Sequence, residues 1–203
     1  TGNDTEGLLL TELLDAGNID TSYMVKSKDR ITTSKTRIIS RNQQMMRVDE
    51  EITHDLDTKD EKGLLDKVEA YIAKADPDII IFEDYNKGVL SEKVIKEVIG
   101  LCKQAGVITT VDPKRKNFFA YREADIFKPN LKEVKEGLNM LIDKITQPVL
   151  KNIHEELKKL LHHQISFITL SEKGVFYQQD DQSGLVPSHI RNVADVSGAG
   201  DTV

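Results

Sequence analysis

Residues 78–82 read Asp-Ile-Ile-Ile-Phe, and residues 107–113 read Val-Ile-Thr-Thr-Val-Asp-Pro. Each is a short, continuous, β-branched apolar run closed by turn residues, the pattern of a strand buried in a parallel sheet. Between them, Ser91 to Ala105 has helical apolar spacing, with Ser91 placed to cap its start and Gly106 to stop it. Strand, helix and strand in that length make a βαβ crossover. Downstream, Ala124 to Phe127 predicts a third strand, Leu131 opens a helix, and Pro148 to Leu161 forms a longer one. Ile165 to Leu170 predicts a fourth strand, and Gly174 to Gln178 with Gly184 to Pro187 an antiparallel meander.

Upstream, a helix ends over Lys67 to Ala75 and is broken by Asp76-Pro77. Thr32 to Ser40 and Met45 to Asp49 predict a β-rich stretch turning at Arg41-Asn42-Gln43. Asp4 to Ala16 carries Leu8, Leu9, Leu10, Leu13 and Leu14 as a helix face, ended by Gly17-Asn18. The fold class is α/β, with a doubly wound, mainly parallel sheet, read as one domain over 1–203.

The 203 residues hold 28 Lys and Arg against 34 Asp and Glu, a net charge of −6. That balance argues against a general nucleic-acid binder. Hydrophobic residues at 38% and charged residues at 31% predict a soluble globular chain with one sizeable core. No apolar run approaches the roughly 18–20 residues that span a bilayer, so no membrane partner is expected. Cys102 stands alone, which excludes an internal disulfide and fits a reducing, cytoplasmic setting. The chain opens Thr1-Gly2-Asn3-Asp4 without an initiator Met and reads as part of something longer.

Polar residues gather after the strands. Asp84, Tyr85 and Lys87 follow the first, Asp112, Lys114 and Arg115 the second, Asn130 and Glu133 the third, and Ser171, Glu172 and Lys173 the fourth. Open α/β sheets bind ligands at that edge. The five histidines lack metal-ligand spacing, and no Gly-x-Ser-x-Gly elbow occurs. His162 and His163 are expected near a helix C-terminus, whose dipole favours a charged imidazole. Cys102, on an amphipathic helix, reads as packing rather than as a nucleophile.

Asp195-Val-Ser-Gly198-Ala199-Gly200-Asp201-Thr202 is the sharpest chemical signal. Small residues before a helix leave outward-facing N–H groups that cradle an anion. No Gly-Lys-Ser/Thr follows, and Val203 stands where a dinucleotide fingerprint needs its third Gly or Ala, so neither nucleotide motif applies. Asp201 at the lip of an anion cradle is read two ways. It takes a proton from an attacking hydroxyl, or it only complements the helix dipole.

Gly198-Ala199-Gly200-Asp201-Thr202 resembles the signature of the ribokinase-like (PfkB-type) carbohydrate kinases. The resemblance implies that Asp201 is the catalytic base and that the Gly198, Ala199 and Gly200 amides form the anion hole. Asn130-Leu-Lys-Glu133 is similar to the family's Asn-x-x-Glu motif. It implies ATP and Mg2+ as cofactors, with Asn130 and Glu133 reaching the metal through water. From the residues alone, Asn130 and Glu133 also match a helix capping box, and the two roles can coexist. Thr169-Leu-Ser171-Glu-Lys-Gly174 resembles the strand-end turn of the nucleotide site. Gly2-Asn3-Asp4 with Gly7 resembles a Gly-x-Asp-x-x-Gly helix opening. The family's small β lid suits residues 21–51 and implies a homodimer through that lid.

Residues 32–49, with Lys35, Arg37, Arg41, Asn42, Gln43, Gln44 and Arg47, resemble the heptose 7-phosphate kinases of lipopolysaccharide precursor synthesis. So do Asp84-Tyr85-Asn86-Lys87-Gly88 and Asp112-Pro113-Lys114. The resemblance implies a sugar-phosphate substrate held by Lys35, Arg37, Arg41, Asn42, Gln43, Asp84, Tyr85, Lys87 and Lys114. The reaction implied is phosphorylation of the anomeric hydroxyl of D-glycero-β-D-manno-heptose 7-phosphate. Charge agrees: residues 26–47 hold seven Lys and Arg against Asp29 alone. Lys35, Arg37 and Arg41 share one face under strand periodicity, although basic residues also guard exposed sheet edges. The family's first strands, its Gly-Gly sugar motif and the later adenine-site elements are not in this sequence. Two other readings are another sugar kinase of the same fold and a non-catalytic sugar- or nucleotide-binding module.

Overall fold

The computed structural model describes residues 1–41 and 43–188. The chain divides into two compact units, and each draws on two separate stretches. One holds residues 1–76 with 86–94; the other holds residues 77–85 with the chain from 95 onward.

In the first unit, α1 (Thr5–Ala16) starts at Asp4, whose carboxylate accepts the Gly7 N–H at 2.8 Å. The same carboxylate accepts the backbone N–H and the hydroxyl of Thr32, both at 2.7 Å. These donors, the Thr32 N–H foremost, hold the Asp4 carboxyl below the usual range. The entry to α1 and the approach to the strand that starts at Ser34 are thereby fastened at one residue. The leucine face of α1 forms as expected, yet Leu8, Leu9 and Leu13 stay exposed, because no described residue covers them.

Strands β1 (Ser34–Ser40) and β2 (Gln43–Glu50) pair antiparallel, with a register shift at Ile38/Ile39. Helix α2 (Thr58–Ala75) begins well before Lys67, because the Asp57 side chain caps it by accepting the Asp60 N–H at 2.7 Å. It ends on Asp76 in the left-handed region, before Pro77. Residues 86–94 are fastened to this unit by Arg30, which donates to the carbonyls of Ile52, His54 and Lys87. The Leu56 N–H also bonds Gly88 O, and Glu61 accepts from Ser91 and Lys93.

The second unit is built on a six-stranded sheet. Its strands are β3 (Ile79–Glu83), β4 (Ile108–Asp112), β5 (Ile126–Phe127), β6 (Ile165–Thr169), β7 (Val175–Gln179) and β8 (Gln182–Val186), adjacent in that order. β3 to β6 run parallel, and β7 and β8 add the expected antiparallel meander. This is the mixed α/β, mainly parallel sheet that the sequence predicts. Helix α3 (Glu92–Ala105) links β3 to β4, while α4 (Leu131–Gly137) and α5 (Gln147–Leu161) lie between β5 and β6.

The core gathers Val111, Phe127, Ile168 and Phe176 from the strands with Ile95 and Cys102 from α3. From α5 it takes Leu150, Ile153, Leu157 and Leu161, the three-and-four spacing of one helix face. Burial raises the Cys102 thiol pKa, so it is packing, as expected. Two expectations differ. β5 is only two residues long, because the Asp125 carboxylate accepts the Thr109 N–H and hydroxyl, both at 2.8 Å, and fixes the strand's start by side-chain bonds. β3 buries Phe82 but leaves Ile79 and Ile81 exposed, since it is the edge strand among the described residues.

His163 lies at the end of α5 as expected but departs from its expected charge. His162 does cap α5 in the left-handed region, but His163 is buried against Ser166 with His154. His163 Nε2 lies 2.7 Å and His154 Nδ1 2.8 Å from Ser166 Oγ. Desolvation pushes the His163 pKa down to about 3 and lowers that of His154. Burial overrides the helix dipole here, and the imidazole is neutral.

Candidate active site

In the second unit, charged side chains converge where β4 and β5 end. Asp112, the last residue of β4, is shared by two lysines: Lys114 at 3.0 Å and Lys128 at 2.9 Å. Lys114 also reaches Glu133 of α4 at 2.8 Å. Burial works against the Lys114 ammonium, but the Glu133 and Asp112 carboxylates outweigh it and raise its pKa. The result is an unbroken chain, Lys128–Asp112–Lys114–Glu133, with three of its members largely shielded from water. Ion pairs of this kind hold side-chain positions, because moving one partner leaves the other charge unpaired.

Asn130 and Glu133 form a reciprocal capping box at the start of α4. Asn130 Oδ1 accepts the Glu133 N–H at 2.9 Å, and Glu133 Oε2 accepts the Asn130 N–H at 2.8 Å. Both Glu133 oxygens are therefore engaged, one by Lys114 and one by the backbone. Such a donor set suits a hydrated cation approached through water and not a direct protein cage. Among the described residues no group of three or more His, Cys, Asp or Glu could hold a metal ion directly.

β6 brings the second predicted segment alongside. The Thr169 N–H donates to Pro129 O at 3.1 Å, and Asn130 and Thr169 form a parallel bridge. Ser171, with φ 57°, and Gly174, with φ 93°, bracket the 3-10 turn that follows. A Cβ on Gly174 would collide with Val186 O, so glycine is demanded by the meander itself. At the end of β3, Asp84 is buried and accepts the Tyr121 hydroxyl at 2.9 Å, while Tyr85 is exposed.

The remaining candidates lie in the first unit. Lys35 and Arg37 stand on β1 opposite Asp49 and Arg47, and by strand alternation these four share a face. Arg47 Nε is bound by Asp49 at 2.8 Å, which relieves the Arg37–Arg47 like-charge pairing. The other face carries Thr36, Ile38, Met46 and Val48, with the last three exposed. The two-stranded sheet is thus two-faced, basic and apolar. Arg41 lies beyond β1, in the turn and with φ 49°, so strand periodicity does not reach it and the expected three-residue face ends at Arg37. Gln43 opens β2.

Lys87 pairs with Glu51. A cleft of ≈ 340 Å³ in this unit is mostly apolar, lined by Leu10, Val25 and Leu64 among others. Among its polar residues, Arg30, Thr32 and Lys87 are bonded to carbonyls, Asp4 and Glu51. Asn42, Gly198, Ala199, Gly200 and Asp201 lie outside the described residues.

Two residues here, Lys128 and Tyr121, escape the sequence reading, and Arg47 is named there without its place on a strand face. Lys128 was legible in principle, as a cation directly before Pro129-Asn130 at a strand end. Arg47 required the β1–β2 register, and Tyr121 carries no sequence signal at all.

A sequential α/β sheet with charged groups at its carboxyl edge, in a chain that also carries a separate two-stranded antiparallel sheet, defines the class, and the chain belongs to the PfkB family of carbohydrate kinases, whose family model matches residues 1–203. It is 37% identical over 202 residues to the bifunctional protein HldE of Helicobacter pylori strain Shi470 and 36% identical to that of Helicobacter hepaticus. These alignments cover 100% of this chain but 43% and 41% of those proteins, so it spans less than half of their length. The fold is similar to phosphofructokinase-2 from Escherichia coli, with TM-score 0.79 and 18% identity over 100% of this chain and 65% of that one. It is also similar to ribokinase from Giardia lamblia, with TM-score 0.74 and 18% identity over 99% and 61%.

Proposed function

We propose that this chain is the kinase part of a protein that transfers the γ-phosphoryl group of ATP to the anomeric hydroxyl of D-glycero-β-D-manno-heptose 7-phosphate. The observation that carries the reading is the convergence of Asp112, Lys114, Lys128, Asn130 and Glu133 at the carboxyl edge of the sheet. A polyphosphate needs cations held in place, and each of these lysines is fixed by at least one carboxylate. Mg2+, reached through water from Asn130 and Glu133, would neutralise phosphate charge. Asp201 would take the proton of the attacking C1 hydroxyl, and the Gly198, Ala199 and Gly200 amides would hold charge on the transferred group.

The basic lid face supports an anionic sugar. Lys35, Arg37 and Arg47 offer charge-assisted donors to a distal phosphate. The apolar face, with Ile38, Met46 and Val48 exposed, supports self-association through the lid. No described helix is long and apolar enough to cross a membrane.

The test is a panel of phosphorylated sugars with ATP and Mg2+, using the full-length protein and its Asp201→Asn variant. Wild type should turn over heptose 7-phosphate best. Asp201→Asn should lose several orders of magnitude in turnover while ATP affinity changes little, because shape is kept and the proton acceptor is lost. Preference for another sugar phosphate would move the substrate assignment within the family. Tight binding without product would make the chain a binding module.

A further inference from the structure

Lys114 is the most exposed member of the Lys128–Asp112–Lys114–Glu133 chain. Its side chain is 31% exposed, against 13% for Asp112 and Lys128 and 10% for Glu133. Its single ammonium serves two carboxylates, Asp112 Oδ1 at 3.0 Å and Glu133 Oε1 at 2.8 Å. A third contact, to Pro113 O, is 3.5 Å long, the outer limit for a hydrogen bond. The group that solvent reaches first in this cluster is therefore a cation, and its charge is already shared.

The two carboxylates differ in what else holds them. Lys128 takes Asp112 Oδ2 at 2.9 Å, so Asp112 keeps a counter-ion if Lys114 shifts. Glu133 Oε2 is fixed by the Asn130 N–H inside the capping box, which ties the carboxylate to the first turn of α4. Among the described residues, Lys114 is the cation on Glu133, and it sits on Oε1, the oxygen that the capping box leaves over. A polyphosphate arriving by itself competes with two carboxylates for one ammonium. A divalent cation arriving by itself competes with that ammonium for Glu133 Oε1. Either exchange alone leaves a shielded charge without its partner, which is costly. Arriving together, each ligand supplies the partner that the other takes away.

We propose that Lys114 is an exchangeable counter-ion, which occupies Glu133 in the free protein and turns to phosphate when a metal–nucleotide complex binds, releasing Glu133 Oε1 to the hydrated metal. The proposal rests on the kinase reading above and adds why metal and nucleotide enter as a pair. Its signature is two effects of opposite sign. Without the Lys114 ammonium, metal alone should bind better and nucleotide alone should bind worse.

The test uses the full-length protein as wild type, Lys114→Met and Lys128→Met. Mn2+ binding without nucleotide is followed by electron paramagnetic resonance. The β,γ-imido analogue of ATP is titrated without metal by calorimetry, and folding is read from the thermal midpoint. Lys114→Met should bind Mn2+ about tenfold more tightly than wild type and the metal-free analogue about tenfold more weakly. Lys114→Gln repeats the comparison should the Met variant fail to fold. Lys128→Met removes the same charge from the same cluster but makes no bond to Glu133, so its gain in Mn2+ affinity should be clearly smaller. An equal gain in Lys128→Met would make the effect one of net charge and overturn the exchange. Unchanged Mn2+ affinity in Lys114→Met would overturn it too, with wild-type turnover of a sugar phosphate still supporting a kinase. Weaker binding of both ligands in Lys114→Met, with a lowered midpoint, would mark a merely structural ion pair and also overturn it. Wild type that neither binds the analogue with Mn2+ nor turns over any sugar phosphate would remove both.

Discussion

Gly88 has φ 75°, and a Cβ built on it would run into the carbonyl of His54. That carbonyl is the one Arg30 also holds, and Gly88 O itself accepts the Leu56 N–H. Gly88→Ala therefore meets left-handed strain and a backbone collision together. It should cost more than about 1 kcal/mol, read as a lower urea midpoint of the full-length protein. Among single residues, sequence legibility followed the range of the interaction. Asn130 and Glu133 are three positions apart, and their capping box was readable from spacing. His163 was not, because its environment is set by Ser166 on β6 and by desolvation, and a helix-end rule knows neither.

The β1–β2 ribbon separates its basic and apolar side chains by parity along one strand. Arg37 and Ile38 are adjacent in sequence and point to opposite faces. Arg37→Ala should raise the KM of a sugar phosphate roughly tenfold to a hundredfold and leave the ATP KM unchanged. Ile38→Glu, one residue on, should lower the apparent mass in sedimentation at a given protein concentration. An edge-guarding role for Arg37 would alter salt response and leave KM alone. The alternation itself was legible in residues 32–49. Its extent was not, because Arg41 looks like a strand residue until the backbone turns at φ 49°. At the same scale, α1 was legible from its leucines, but the exposure of Leu8, Leu9 and Leu13 was not, since periodicity gives a face and not its cover.

Across the whole molecule, buried ionisable groups link stability to pH. His163 titrates in the fold at about 3, far below the ordinary histidine value, so the unfolded chain binds a proton that the native state refuses. Its contribution is complete above about pH 6.5 and falls as pH drops toward the folded value. At pH 5 the loss is about 2 kcal/mol for this residue, and His154, shifted the same way, adds to it. Urea midpoints at pH 8 and pH 5 should differ accordingly, and His163→Gln should shrink the difference. Equal pH dependence in the variant would remove His163 as its source. The parallel order of the sheet was legible because buried strands are short, apolar and alternate with helices. The Lys128–Asp112–Lys114–Glu133 chain was not, because strand ends bring together residues that sequence separates by crossovers.

The path between the two units crosses three times, after residues 76, 85 and 94. On a ribosome this sets a waiting period. Residues 1–76 emerge without Lys87 O for Arg30, Gly88 O for Leu56 and Ser91 for Glu61, so this unit closes only when residue 94 is clear. At about 5–20 residues per second, that delay is roughly one to four seconds. During it, β3 is already out, while β4, its partner over residues 108–112, is still unmade. Ile79-Ile80-Ile81-Phe82 is then an apolar strand whose β4-facing edge is unpaired, and the chain exposes it until residues 108–112 follow.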